Sequence, residues 1–188
     1  MVKNVNEVLY GNETINLKSI TLRKFAANDY RDLYEYASDP QTLEYLVWDG
    51  LNSLQEAKDS IYNYYWSRPG IYAIEHNESK KCIGAIDIRP DLEHEKTSFG
   101  YVLNRSYWGR GYMSEALAAI IRLCFEKLEL NRVEGYHFIG NEASGRVMAK
   151  CGMSLEGIMV QEMKVKGEFR DCAHYAITKC QWELLSQK

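Results

Sequence analysis

The sequence predicts one α+β domain over residues 1–188, and three observations carry that reading. Apolar residues alternate over 71–103 as an antiparallel meander, whose first two strands flank a polar Asn77-Glu78-Ser79 turn. A glycine turn, Gly109-Arg110-Gly111, then opens a long helix with Ala116, Leu117, Ile120, Cys124 and Leu128 on its apolar side. The last third returns to strands, as a hairpin of 153–165 and 168–179 about Lys166-Gly167. No internal repeat, low-complexity tract or linker interrupts this order.

Taken in order, the polar residues 1–14 read as a loose lead-in. Residues 15–25 alternate as a strand or short hairpin with Ile20 and Leu22 on one face. Asn28 is placed to cap a helix carrying Tyr30, Leu33, Tyr34 and Ala37, and Pro40 stops it. Residues 41–52 are mixed and aromatic, and Ser53 with Glu56 forms a capping box for a second helix through Leu54, Ala57 and Ile61. Arg68-Pro69-Gly70 ends it, and strands follow at 71–75, 81–89 and 96–103. The long helix runs from the glycine turn to about Leu130. A strand at 132–138 and a helix at 141–150, closed by Gly152, precede the final hairpin.

Composition narrows the function classes. Charged residues at 26% and hydrophobic ones at 46% are globular values, and a net charge of −3 supplies no basic field for nucleic acid. The mild acidity leans towards a cationic or amine-bearing partner. Five cysteines without a C-x-x-C pair read as reduced, mostly buried thiols in a cytoplasmic protein without a zinc site or other metal. The first residues lack a signal-peptide core, and no apolar run is long enough to span a bilayer, so no membrane partner is expected.

The stretch 101–115, Y-V-L-N-R-S-Y-W-G-R-G-Y-M-S-E, is the chemical centre of the chain. A strand that ends in a glycine turn and opens a helix gathers unpaired N–H groups at the positive end of a helix dipole, which makes an anion site. A plain tight turn would also explain the two glycines. A dinucleotide fingerprint fits poorly, because Ser114 stands at its third glycine and Glu134 falls inside the next strand. A P-loop is excluded, since no G-K-[ST] follows.

More of the chain decides among these. The order strand, Y-W-G-R-G-Y-M-S-E-A, long helix, R-V-E-G-Y strand, N-E-A-S-G-R-V-M-A-K-C-G-M and a closing K-G-E-F-R-D hairpin resembles the GNAT N-acetyltransferases, most closely their RimJ/RimL-like, ribosomal-protein branch. The resemblance spans essentially the whole chain. It implies a mixed, mostly antiparallel central sheet flanked by helices and splayed between its fourth and fifth strands, with acetyl-CoA as co-substrate. Tyr101, Val102 and Leu103 would offer backbone groups to pantetheine, and Trp108, Gly109, Arg110, Gly111, Tyr112, Met113 and Ser114 would hold the pyrophosphate. Ser106 stands where the family pattern has Gln or Arg, leaving Arg105 or Arg110 to supply the charge.

By the same resemblance Asn141 contacts the cofactor arm, and Ser144 hydrogen-bonds the leaving thiolate in place of a tyrosine whose position is taken by Met148. Helix capping is the competing role for both Asn141 and Ser144. The carboxylate that relatives carry ahead of the third meander strand's I-G-Y is absent, the matching stretch being Ser98-Phe99-Gly100-Tyr101. Glu95, Asp87, Glu44 and His137 are the substitutes, none preferred, and ordered water is the default route for the amine proton. Cys151 lacks a base at a readable spacing, so direct attack in a ternary complex is expected instead of an acetyl-cysteine. Tyr45, Trp48 and Asp49 are the acceptor candidates, aromatic faces and a carboxylate suited to a protonated amine such as a ribosomal or other protein N-terminus. A homodimer is allowed. A catalytically weakened CoA-binding regulatory module is the alternative that the missing carboxylate and Met148 motivate.

Overall fold

The computed structural model describes residues 4–186. Eight strands form one sheet: β1 (Ile15–Asn16), β2 (Ile20–Arg23), β3 (Ile71–His76), β4 (Cys82–Asp91), β5 (Lys96–Leu103), β6 (Arg132–Phe138), β7 (Ser154–Val165) and β8 (Glu168–Thr178). Their order is β1-β2-β3-β4-β5-β6-β8-β7. The β1–β2, β2–β3, β3–β4, β6–β8 and β7–β8 pairs are antiparallel, and β5–β6 is parallel. The α+β expectation of a mixed, mostly antiparallel sheet is met. The chain divides into two compact units, Met1–Asp87 with Gly100–Ala116 and Ile88–Phe99 with Leu117–Lys188.

In the first unit, α1 (Val5–Tyr10) replaces the expected loose lead-in, of which residues 1–3 lie outside the described part. Asn4 caps it by accepting the Asn6 N–H, and Leu9 is buried, so tertiary packing stabilises a helix that polar composition disguises. The hairpin of β1 and β2 buries Ile20 and Leu22 completely, as their spacing predicts. Asn28 is not a cap: it lies in a 3-10 turn, Ala27–Asp29, ahead of α2 (Tyr30–Ala37). The Asp29 carboxylate instead accepts the Ala26 N–H at 2.7 Å, because Arg23 holds it there. Pro40 opens α3 (Pro40–Leu43) at its first turn, where a missing N–H costs nothing, with Asp39 as cap. The box ahead of α4 (Leu54–Ser60) is half made. Ser53 Oγ accepts the Glu56 N–H, but the Glu56 carboxylate takes the N–H of Asn52. A π turn at Ile61–Tyr65 follows, and the core of this unit gathers Phe25, Leu33, Tyr36, Ile61 and Val102.

The helix after the glycine turn is α5 (Tyr112–Glu126). Ala116, Leu117, Ile120 and Cys124 are fully buried along it. It stops short of Leu130 because Glu129 is left-handed at φ 57°, letting the Leu130 N–H return to the Cys124 carbonyl at 3.0 Å. In the second unit β5 pairs with β6 over three rungs, from Lys96↔Arg132 to Ser98↔Glu134. At the next position the Phe99 ring lies so close to Gly135 that a Cβ there would fall 2.5 Å from it. α6 (Glu142–Lys150) follows β6, and α7 (Lys179–Ser186), which the sequence reading did not anticipate, follows β8. Lys166 and Gly167 both take positive φ, 51° and 87°, as a two-residue hairpin turn requires.

All five cysteines carry thiols. Cys82, Cys124 and Cys172 are buried, and burial pushes the Cys151 thiol up to about 11 and the Cys124 thiol up to about 12. Cys180 is the exposed one. A thiol reagent at neutral pH is therefore expected to label Cys180 rapidly and the buried thiols only after denaturation, read by absorbance with and without denaturant. Among the described residues no helix is long and apolar enough to cross a membrane, and no group of three or more His, Cys, Asp or Glu could hold a metal ion.

Candidate functional site

The first unit carries the glycine turn. A 3-10 turn, Arg105–Tyr107, leads through Trp108 into Gly109 at φ 73° and Gly111 at φ 87°. Both angles are left-handed, which glycine adopts without strain. A Cβ at either position would meet nothing within 4 Å, so the backbone here faces open space. The Glu115 N–H bonds to the Gly111 carbonyl at 3.0 Å, and the N–H groups of Tyr112 and Met113 precede that first turn of α5. The Glu115 carboxylate, the first-turn acid that would repel an anion, is occupied by the Ser19 N–H at 2.9 Å. Bare backbone donors at the positive end of a 15-residue helix fit a pyrophosphate.

What aims this turn is Asn104, buried and fully bonded, which the sequence reading passed over. Its N–H donates to the Ile83 carbonyl at 2.7 Å, its Oδ1 accepts the Ser106 N–H at 3.0 Å, and its Nδ2 donates to Glu35 on α2 at 2.9 Å. Asn104 and then Lys81 hold the Glu35 carboxyl below the usual carboxylate range. Arg105 is committed to Asp39 at 3.0 Å. Arg110 is exposed, its guanidinium 5.7 Å from the Tyr107 ring, and is the better placed of the two to meet a phosphate. His76, also unanticipated, is buried and bonds Tyr112 Oη through Nε2 at 3.1 Å and Ser79 through Nδ1 at 2.9 Å, bracing the first residue of α5. Trp108 folds back so that its indole N–H donates to the Leu103 carbonyl at 2.7 Å. Val102 is buried, and Tyr101 and Leu103 are half-buried.

Of the acceptor candidates, Trp48 packs partly buried against the core of this unit, Tyr45 is half-buried, and Asp49 is exposed. Asp87, a base candidate, is buried in an ion pair with Arg68 at 2.8 Å, and Glu44 is exposed.

The second unit carries the N-x-x-S helix. Asn141 is the cap of α6: its Oδ1 accepts the Ser144 N–H at 3.4 Å, and its own N–H donates to the Phe138 carbonyl at 2.9 Å. Ser144 is half-buried one turn before Met148, which is wholly buried. Gly145 is required by packing, since a Cβ there would lie 2.8 Å from His137 Nε2 and 3.2 Å from Tyr175 Oη. His137 is buried, with Nδ1 donating to the Phe138 carbonyl at 2.9 Å. Glu95 is exposed at φ 48°, its carbonyl accepting the Asn131 and Arg132 N–H groups.

With that geometry in view, the profile described as an acetyltransferase (GNAT) domain matches residues 19–154. The chain belongs to the GNAT acetyltransferases. This N-acetyltransferase is 27% identical over 165 residues to the uncharacterized N-acetyltransferase YoaA of Bacillus subtilis, covering 85% of the chain and 93% of that protein. Over a shorter stretch, 83 residues or 44% of the chain and 43% of the relative, it is 30% identical to the [ribosomal protein uS5]-alanine N-acetyltransferase of Escherichia coli. A GNAT acetyltransferase from Bacillus anthracis superposes with a TM-score of 0.80 at 25% identity, covering 88% of this chain and 98% of that one. As a GNAT acetyltransferase the enzyme uses acetyl-CoA and transfers the acetyl group to an amine.

Proposed function

We propose that this acetyltransferase works as a single domain on a primary amine, at a peptide or protein N-terminus or on a small molecule, by direct attack in a ternary complex. The observation that carries the reading is the turn at Gly109 and Gly111, where left-handed glycines present open backbone at the start of α5. Trp108 to Ser114 then hold the pyrophosphate, with Arg110 adding charge, and Tyr101, Val102 and Leu103 line the pantetheine. Acetyl-CoA supplies an acyl group already activated as a thioester. Asn141 bonds the cofactor arm, and the Ser144 hydroxyl donates to the sulfur as negative charge develops on it. Tyr45, Trp48 and Asp49 receive the amine, with the indole face and the carboxylate favouring a cationic group. An α-amino group suits such a reaction, being neutral at pH 7 more often than a lysine. The relative named for an alanine N-terminus supports the same choice.

Calorimetric titration with acetyl-CoA, followed by a screen of peptide N-termini and small amines for released CoA thiol, tests the reading. Failure of acetyl-CoA to bind would overturn it. Binding with no release across the panel would leave a CoA-binding regulatory module. Ser144→Ala is expected to lower kcat by about a hundredfold, the loss typical of one donor to developing charge, with acetyl-CoA affinity nearly unchanged. Equal loss of affinity and turnover would move Ser144 to the binding site.

A further inference from the structure

We infer that His174, oriented by Glu162, is the proton acceptor for the attacking amine; this rests on the acetyltransferase reading. The two side chains meet at 2.6 Å, His174 Nε2 to Glu162 Oε2, and each is about one-third exposed, 32% and 34%. They stand in the second unit on the sheet face that also carries Tyr136, whose ring stacks on His174 at 5.7 Å. Tyr136 is opposite His174 in the register, and Phe138 is opposite Cys172. α6 packs on the other face, through Gly145 against His137 and Tyr175.

The backbone of β7 is bent to make this pair. Register shifts between Leu155 and Gly157 and between Met159 and Met163 leave extra residues on β7 on both sides of the Gly157↔His174 rung. Each shift brings a carboxylate to this face. Glu156 meets Arg132, which also holds Glu134, and Glu162 meets His174. The second shift is fixed by Gln161, left-handed at φ 51°, whose N–H donates to Asp171 at 2.7 Å. Bulges of this kind re-aim side chains and cluster beside active sites. The pair also stands at the functional end of β6. His174 faces Tyr136, two positions or about 7 Å along the strand from Phe138, whose carbonyl anchors Asn141.

The chemistry follows from which nitrogen is bonded. The hydrogen bond from His174 keeps the Glu162 carboxyl below the usual carboxylate range, so it is ionised and can only accept. Nε2 must then carry the hydrogen, which leaves Nδ1 of the neutral ring with a lone pair. In the step, the amine nitrogen lone pair forms the C–N bond to the thioester carbon, and one N–H proton passes to His174 Nδ1. The C–S bond breaks with its electron pair on sulfur. The thiolate takes a proton from solvent, and the imidazolium returns one to solvent, leaving amide and CoA thiol.

The test uses His174→Ala, His174→Gln and Glu162→Gln, with the amine that the wild type acetylates fastest. Both His174 variants are expected to lose about 10²–10⁴-fold in kcat, the range of a general base, with the acetyl-CoA Kd unchanged by calorimetry. Added imidazole should restore turnover to His174→Ala, whose vacated ring site admits it, and not to His174→Gln. Glu162→Gln should lose less than either. Wild-type rates in both His174 variants would overturn the assignment. So would losses in His174→Ala that imidazole leaves untouched, which indicate a structural role. A wild type that binds acetyl-CoA but acetylates nothing would overturn the catalytic reading and the base together, a failure already visible before any variant is made.

Discussion

Gly111→Val is expected to raise the Kd for acetyl-CoA by about a hundredfold or more while lowering Tm by only several degrees. The two effects separate because the turn is open on the protein side: a Cβ at 111 meets nothing within 4 Å. Stability therefore suffers only from forcing a β-branched residue to φ 87°, roughly 1–3 kcal/mol. For a chain of this size each kcal/mol lowers Tm by about 2–4 °C. Binding is expected to lose far more, since on the proposed reading the same Cβ would stand between the backbone donors and a phosphate oxygen. Hydrogen bonds to a charged group contribute about 1.5–3 kcal/mol each, and tenfold in Kd corresponds to about 1.4 kcal/mol, so losing two of them exceeds a hundredfold. Gly111→Ala should fall between. Calorimetry and thermal melts on the same samples read both numbers. A lowered Tm with unchanged Kd would mean that the glycines make a tight turn and nothing more.

How much of this was legible in the sequence depends on how local each determinant is. β5 and β6 fall where alternation placed them, and the Lys166-Gly167 turn follows from its own residues. The glycine turn was legible for the same reason. Its aim was not, because Asn104 is anchored by Glu35, 69 residues away on α2. Asn28 caps nothing because the chain enters α2 through a 3-10 turn, whose Asp29 carboxylate is held on the Ala26 N–H by Arg23 on the preceding strand, and α1 is held by burying Leu9. The base shows the limit most clearly. Carried straight from the Lys166-Gly167 turn, the register would set His174 opposite Met159, whereas the bulges set it opposite Gly157 and turn Glu162 towards its ring. Nothing in the spacing of residues 162 and 174 announces two register shifts.

The second large effect is on the fold that supports the turn: Arg23→Met is expected to destabilise the protein by about 3–5 kcal/mol, the cost of leaving one partner of a buried ion pair uncompensated. Arg23 grips Asp29 with two nitrogens, at 2.7 and 2.9 Å, and Glu75 with Nε at 2.6 Å. Asp29 is 4% exposed, so its charge cannot turn to water when the guanidinium goes. At about 2–4 °C per kcal/mol the melting temperature should fall by roughly 10 °C. If the stranded charge is the cause, Arg23→Met with Asp29→Asn should regain much of that loss, because the amide oxygen can still accept the Ala26 N–H without carrying a charge. A double variant as unstable as the single one would point to lost arginine packing instead. The consequence reaches the cofactor. Asp29 sets the start of α2, and α2 carries Glu35, which holds Asn104 ahead of the glycine turn. Weaker acetyl-CoA binding should therefore accompany the lower Tm in Arg23→Met and recover with it in the double variant, which calorimetry at a temperature below both melts can follow.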